Sequence, residues 1–406
     1  FNQNEIYRNI VRMVDGPLTH LRVLELGTLI AGPFCGQLFG DMGADVIKIE
    51  PPGVGDPMRS WGRGLPVWWP VIARNKRCIT LNLRVPAGQE LLKRLLQDSD
   101  VLIENFRPGT MEKWGLDYEV LSAINPGLVM VRVSGFGQSG PYSSRAGYGS
   151  IGEAMGGIRY LAGDPDRPPS RVGLSIGDSL AATFACVGAL AALHERDRTG
   201  QGQVVDSAIY EAVLAVMEST VPEYTEGGEI RERSGAILPK IAPSNVYPTA
   251  DDDSIVMGAN QDSVFRRLAE AMGDPSLAEH PDYADHVSRG EHQEELDELI
   301  GRWTVTLDAD ALLQQLEAHG VPAGRIYRAP EMIEDPHFQA RESIVDVDHP
   351  AFKNLKMQNI FPKLSRSQGK IRWPGPELGA HNAEIYRDLL EISDETLQDL
   401  IHDGVV

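Results

Sequence analysis

From residue 22 onward, short apolar runs rich in Val, Ile and Leu alternate with segments of helical character about 25 residues apart, as parallel βα units do. RVLEL (22–26), ADVIKIE (44–50), CITLNL (78–83), DVLIEN (100–105) and LVMVRVS (128–134) read as strands. Between them, PFCGQLFGDMG (33–43), PAGQELLKRLLQDS (86–99) and PGTMEKWGL (108–116) open on Pro or Pro-Gly and read as helices, Pro being well tolerated in a first turn. The pattern predicts an α/β fold whose large domain is a doubly wound, Rossmann-like sheet.

SIGDSLAATF (175–184) opens a long Ala- and Leu-rich helix, TGQGQVVDSA (199–208) reads as a turn and a strand, and IYEAVLAVMEST (209–220) as another buried helix. Residues 221–243 are polar, punctuated by Gly and Pro and without a period, which marks a linker or an active-site loop. The segment 244–330 reads as a smaller α+β domain, with SIVMGA (254–259) as strand and DSVFRRLAEAMG (262–273) and DADALLQQLEAHG (308–320) as helices. Strand and turn signals return from about residue 341, and GPELGAHNAEIYRDLL (375–390) ends in a helix. The expected organisation is a large domain over 1–220, a linker over 221–243, a small domain over 244–330, and a C-terminal segment, 331–406, that returns to the large domain.

At 406 residues the chain exceeds what one core usually holds, in keeping with two domains. Its 58 acidic against 38 basic residues give a net charge of -20, which argues against nonspecific affinity for nucleic acid or an anionic membrane. An anionic ligand therefore needs a locally basic pocket. Cys35, Cys78 and Cys186 are scattered without a CxxC pair, which fits a reducing, cytoplasmic compartment. The ten histidines form no HExxH or mixed cluster, so no metal is expected. FNQNEIYRNIVRMVDG (1–16) has no apolar core of signal-peptide length, and no later run reads as reaching the roughly 18 apolar residues of a membrane span.

The candidate chemistry centres on a few acids and basic groups. Asp178 sits between Gly177 and an apolar helix, where it reads either as an N-cap or as an ionised nucleophile at the positive end of the helix. Glu50 ends the first βαβ unit where a nucleotide fold keeps an acid for a ribose, but the first turn, LGTLIAGP (26–33), lacks GxGxxG, which counts against a plain NAD site. GFGQSG (135–140) has the glycine spacing but is followed by Pro141 instead of a helix, so it reads as a structural turn or a Gly-rich ligand loop. Arg59, Arg63, RNKR (74–77), Arg107, Lys113 and Arg145 gather near strand ends, either as ordinary surface charge or as a site for a ligand with several phosphates.

Five stretches taken together resemble the family III coenzyme A transferases, which include formyl-CoA transferase. They are LRVLELGTLIAGPFCGQLFGDMGADVIKIEPPGVGDPMR (21–59), NKRCITLNL (75–83), ENFRPGTMEKWGL (104–116), SGFGQSGPY (134–142) and GDSLAATFACVGALAALHERDRTGQGQVVD (177–206), in the family's order and across nearly the whole chain. The resemblance implies that Asp178 attacks the thioester of an acyl-CoA to give a mixed anhydride, then holds CoA itself as an aspartyl thioester. A carboxylate suits this work because its acyl adduct keeps the energy of the thioester, whereas serine would trap a stable ester. By position, the CoA site maps to Leu29, Ile30 and Ala31, to Arg74, Asn75 and Lys76, to Asn105, Phe106 and Arg107, to Lys113, and to Ser134, Gly135, Phe136 and Gly137.

The chain departs from the formyl-CoA transferase pattern at Ile30, Pro51 and Ser134, where that enzyme carries glutamine, arginine and lysine, and it lacks that enzyme's glycine-rich loop between residues 228 and 262. Formyl or oxalyl transfer is accordingly not expected. The α-methylacyl-CoA racemases share the fold but pair the aspartate with a histidine where this chain has Tyr148, in AGYGSIGEAMGG. Racemisation and a catalytically silent acyl-CoA binder stand as the alternatives to transfer. RERSGAILPKIAPSNVYP (231–248) looks like the matching segment of succinyl-CoA-dependent transferases acting on malate, citramalate or glutarate. There Arg233 and Lys240 read either as partners for a distal carboxylate or as parts of a solvated loop. The resemblance further implies an interlocked homodimer.

Overall fold

The computed structural model describes residues 16–406, so the leader reading of residues 1–15 lies outside the described residues. The chain divides into two compact units. The larger takes in the described residues up to Arg159, Val172–Gly227 and Ala340–Val406; the smaller takes in Tyr160–Arg171 and Gly228–Gln339.

The larger unit is built on six strands, β1 (Arg22–Glu25), β2 (Asp45–Glu50), β3 (Lys76–Thr80), β4 (Val101–Glu104), β5 (Val129–Ser134) and β6 (Val204–Ala208). They lie in the order β3-β2-β1-β4-β5-β6 with every pairing parallel. β1, β2, β4 and β5 are buried almost throughout and read as largely apolar runs, as interior parallel strands do, whereas the edge strand β6 is exposed or partly exposed over its first three residues. Val23, Val46, Val101, Ile103, Val129 and Val131 face one way, onto helices α1 (Ala31–Asp41) and α4 (Ile176–Thr199). Leu24, Ile47, Ile79, Leu102 and Met130 face the other, onto helix α2 (Pro86–Leu96), the helix Tyr118–Ile124 and the two C-terminal helices Ala383–Leu389 and Asp394–His402. The sheet is therefore doubly wound, and its order reverses between β1 and β4, where open α/β sheets hold their ligands.

Two further helices of the larger unit bear on the site, α3 (Gly149–Met155) and α5 (Ile209–Leu214). The run 209–220, expected as one helix, stops at Leu214, and a second helix, Thr220–Gly227, opens the stretch expected as linker. Small residues at Ala181, Ala185 and Ala189 form the buried side of α4, and Gly200, at φ 76°, ends it by donating to the Arg196 carbonyl at 2.7 Å. α4 is long and apolar enough, by length and composition, to cross a membrane, which corrects the expectation that no run reaches that length. A core helix of a water-exposed domain passes the same test, and the alanine side of α4 packs within the larger unit.

The smaller unit carries an antiparallel sheet in the order β7 (Ser244–Pro248), β8 (Ser254–Gly258), β9 (Ala323–Arg325). Helices α6 (Asp262–Ala271), α7 (Gln293–Thr304) and α8 (Ala309–Ala318) contribute Phe265, Leu268, Leu296, Ile300, Leu312 and Leu316 to its core. Arg289, fully buried, donates to the carbonyls of Ala242, Tyr283 and Asn260 and pairs with Asp262 at 2.6 Å. Every donor used there meets an acceptor, which is how a buried guanidinium is tolerated.

Candidate active site

The loop after β1 is fastened by side chains from three other segments. The Thr28 amide donates to Asn105 Oδ1 at 2.8 Å, and Asn105 Nδ2 donates back to the Thr28 carbonyl at 2.9 Å, which joins the loops after β1 and β4 across the reversal point. Gly32 makes room for that amide, because a Cβ there would stand 3.2 Å from Asn105 Cγ. Leu29 holds a left-handed backbone, φ 63°, and its amide donates to Asp56 Oδ1 at 3.1 Å. Beneath it, the buried Lys48 ammonium reaches Asp56 at 2.9 Å, Glu25 at 3.0 Å and the Gly27 carbonyl. Burial pushes the Asp56 carboxyl up, but the Lys48 charge and the amides of Met58 and Leu29 bring it net below its ordinary value. Lys48 is shifted upward: burial opposes its charge, and Glu25, Asp56 and Glu50 outweigh that. A left-handed residue at the reversal point, tied to a buried ion network, gives a loop whose backbone is fixed in advance.

The loop after β5 is fastened in the same way. Ser134 Oγ accepts from the Gly137 amide at 3.0 Å, and Asp206 on β6 accepts from the Gln138 amide at 2.8 Å. Gly137, at φ 84°, makes the turn that GFG requires. Gly135 and Gly147 meet backbone to backbone: a Cβ on Gly135 would stand 2.9 Å from the Gly147 Cα. Phe136 stacks edge-on with Tyr142, and the Arg107 guanidinium, from the loop after β4, donates to the Ser144 carbonyl. The three loops at the carboxyl ends of β1, β4 and β5 are thus held by one another, and Tyr148 and Gly149 follow directly.

Asp178 is the third residue of α4, with Ser175 at the cap position, so the structure corrects the N-cap reading. Its half-buried carboxylate lies in the first helical turn, where the helix dipole favours the ionised form. It rests against α3: a Cβ on Gly149 would stand 2.1 Å from Asp178 Oδ2. The buried Glu153, one turn further along α3, accepts from the Gly177 amide at 3.4 Å and from Arg159 at 3.2 Å. Its carboxylate is thereby tied to the backbone just before Asp178.

Of the residues expected around CoA, Leu29, Ile30 and Ala31, Asn105, Phe106 and Arg107, and Ser134, Gly135, Phe136 and Gly137 all belong to these three loops. Phe106 stacks edge-on with Trp114, and Lys113 is exposed at the end of the short helix Thr110–Lys113. Arg74, Asn75 and Lys76 do not join them. They stand at the amino end of β3, buried, with Arg74 on Asp41 at 2.6 Å, Asn75 on Asp41 at 2.9 Å, and Lys76 on Glu25 at 2.7 Å. Glu50 is likewise taken, by a two-pronged pair with Arg59, and offers nothing to a ribose. In the smaller unit, Arg233 donates to the Tyr160 carbonyl at 3.0 Å, while Lys240 is exposed, with its amide on Gln293 Oε1. Tyr148 is exposed and precedes the first residue of α3.

Sequence reasoning passed over Lys48, Asp56, Gly149 and Glu153. For the first two, the available signal was a charged residue inside an apolar strand and an acid closing GVGD; for the last two it was a lone acid among glycines in GSIGEAMGG. A cavity of about 630 Å³ lies elsewhere, lined by Asp346, Arg366, Lys370 and Arg372 among others. It borders the segment whose Trp373 bonds the amino end of β3. Among the described residues no group of three or more His, Cys, Asp or Glu is placed to hold a metal ion.

Fold and site define a class: a doubly wound α/β protein with interlocked loops at the sheet reversal and a helix-borne carboxylate beside them. The family model for CoA-transferase family III matches residues 18–382, and the chain belongs to that family. It is 61% identical over 385 residues, 94% of this chain and 96% of the other, to a succinyl-CoA–D-citramalate CoA-transferase of Chloroflexus aurantiacus. It is 35% identical, over 92% of this chain and 96% of the other, to a succinate–glutarate CoA-transferase of Agrobacterium fabrum. Among solved structures, a CAIB/BAIF family protein from Brucella suis superposes with a TM-score of 0.83 at 34% identity, covering 92% of this chain and 100% of that one.

Proposed function

We propose that this CoA-transferase moves CoA from succinyl-CoA to a dicarboxylic acid, with D-citramalate the foremost acceptor, and that Asp178 is the covalent carrier. The observation that carries the reading is the half-buried Asp178 carboxylate in the first turn of α4. Its oxygen attacks the thioester carbonyl, the C–S bond breaks, and CoA thiolate leaves a succinyl–aspartyl anhydride. The thiolate then attacks the aspartyl carbon of the anhydride and succinate departs. The acceptor carboxylate attacks the aspartyl-CoA thioester carbonyl and expels CoA thiolate, giving an acceptor–aspartyl anhydride; the thiolate then attacks the acceptor's carbonyl carbon, and Asp178 leaves as the free carboxylate. No activated bond is lost to water at any step, and no metal is called for. Backbone amides of the first helical turn are suited to the oxyanion that each attack creates.

For CoA itself we propose Leu29, Ile30 and Ala31, Phe106 and Arg107, Lys113, and the Ser134–Gly137 turn, with the Asn105 amide as the tether between two of these loops. Arg107 and Lys113, both exposed, supply positive charge for phosphates in an acidic chain. In the smaller unit, Arg233 and Lys240 are the proposed partners for an acceptor carboxylate, and Lys240 has the freer side chain. Tyr148 is the proposed substrate contact beside the nucleophile. Transfer is favoured over racemisation because a two-base proton exchange needs a second free acid or base. Position 149 offers no side chain, and Glu153 is held by Gly177 and Arg159.

We further propose a cytoplasmic homodimer. In support, Phe184, Val187 and Leu190 leave an exposed apolar stripe on α4, opposite its buried alanines. A substrate panel tests the reading: succinyl-CoA with D-citramalate, malate, glutarate or monocarboxylates should give new thioesters with the diacids. Transfer to monocarboxylates alone contradicts the substrate class. Solvent deuterium at the α-carbon of an acyl-CoA, without transfer, contradicts the reaction type.

A further inference from the structure

We propose that Gly149 is a positioning residue for the transfer reaction: its missing side chain is what lets the Asp178 carboxylate rest against the backbone of α3. The inference builds on Asp178 as the carrier. A Cβ placed on Gly149 would lie 2.1 Å from Asp178 Oδ2, 2.8 Å from Cγ and 3.1 Å from Oδ1, so the whole carboxylate faces that Cα. Non-bonded heavy atoms sit best about 3.5–4.0 Å apart, so even one added methyl requires a displacement of more than about 1 Å.

The helix is poorly placed to absorb that displacement. A Cβ on Gly152 would stand 2.5 Å from Ile209 Cγ2, and one on Gly156 would stand 2.6 Å from Val213 Cβ. α3 therefore already lies on α5 at backbone distance. On the other side, a Cβ on Gly177 would stand 3.0 Å from Glu153 Cγ and 3.0 Å from Ile209 Cγ2. Glu153, buried, fixes the Gly177 amide from α3. With both backbones held, the group that yields is the carboxylate. A nucleophile must stand about 3–3.5 Å from the carbon it attacks, and a misplacement of about 1 Å costs on the order of 100-fold in rate. Gly149 thus sets where the nucleophile stands, and the three atoms nearest an added Cβ all belong to Asp178, none to the loops after β1, β4 and β5.

The test is Gly149→Ala, measured at saturating succinyl-CoA beside Asp178→Ala and wild type. The expected result is a 10- to 100-fold lower kcat, a KM for succinyl-CoA within about threefold of wild type, and slower build-up of CoA on Asp178 in a single turnover. A merely structural role would lower melting temperature without this split. If Asp178→Ala is dead and Gly149→Ala turns over within twofold of wild type, the positioning role is overturned and the carrier reading stands. If Asp178→Ala turns over normally, the carrier reading fails and takes this one with it. Should Gly149→Ala not fold, a crystal structure of the wild type decides: an Asp178 carboxylate within about 4 Å of the Gly149 Cα upholds the proposal, and one beyond about 5 Å overturns it.

Discussion

At the scale of single residues, the sequence offered charges and glycines whose work depends on partners far along the chain. Asp178 is a case in point: its type and its place near a helix start were legible, but the N-cap reading could be set aside only once the structure put it three residues past the cap position, Ser175. The internal partners of the RNKR stretch were not legible, because a basic cluster has the same composition whether it meets a phosphate or an interior acid. The partners of Arg74 and Asn75 are Asp41, 33 and 34 residues away, and the Gln358 and Lys370 carbonyls, more than 280 away. Asp56 gives a residue-scale prediction. Its carboxyl is held below the ordinary value in the fold, so its ion pair stabilises above about pH 4 and fades as pH falls through the lowered folded value. Asp56→Asn should lower unfolding stability by about 3 kcal/mol near neutral pH. In denaturant titrations across pH, the gap to wild type should close on the acid side, where the wild-type carboxyl is protonated too. A gap that stays constant with pH would show that Asp56 acts by shape alone.

At the scale of elements, β1 to β5 were legible because buried parallel strands are largely apolar runs; β1, β2, β4 and β5 were found within one residue of their expected bounds, while β3, expected over 78–83, runs over Lys76–Thr80, its charged start hidden in RNKR. β7 and β9 were not, since SNVYP and AGR are too polar or too short to carry a period. α7 was passed over although its Leu296 and Ile300 stand four apart, because QEELDELIGRWT is charged on most of its surface. The decisive element-scale fact, that the loops after β1 and β4 share one amide, has no sequence signature, because Thr28 and Asn105 are 77 residues apart. Asn105→Ala should free both polar groups of Thr28 and loosen the ligand loop. The expected outcome is a KM for succinyl-CoA about tenfold higher with kcat within about twofold, since the carrier is untouched. Steady-state kinetics checks it, and an unchanged KM would mean that the loop holds its shape without the tether.

At the scale of the whole molecule, the alternation of strands and helices was enough to reach a doubly wound sheet, and the five quoted stretches were enough to reach the family. What the pattern could not show is which apolar surface is left over. The α4 helix buries alanines and turns Phe184, Val187 and Leu190 outward, an arrangement that composition reads as uniform. A contiguous exposed apolar patch is a candidate association surface. Val187→Glu puts a charge in the middle of the stripe; on the proposed homodimer, light scattering should find wild type dimeric and this variant shifted towards monomer, and a monomeric wild type would contradict the proposal. A variant that stays fully dimeric would place the dimer contact elsewhere.

The most direct test of the central claim is peptide-resolved mass spectrometry of the enzyme after brief exposure to succinyl-CoA without acceptor. The account predicts CoA bound through a thioester to the peptide that contains Asp178, and its discharge to acceptor-CoA when D-citramalate is added. CoA bound to another side chain, or steady turnover with no covalent adduct on any peptide, would contradict it.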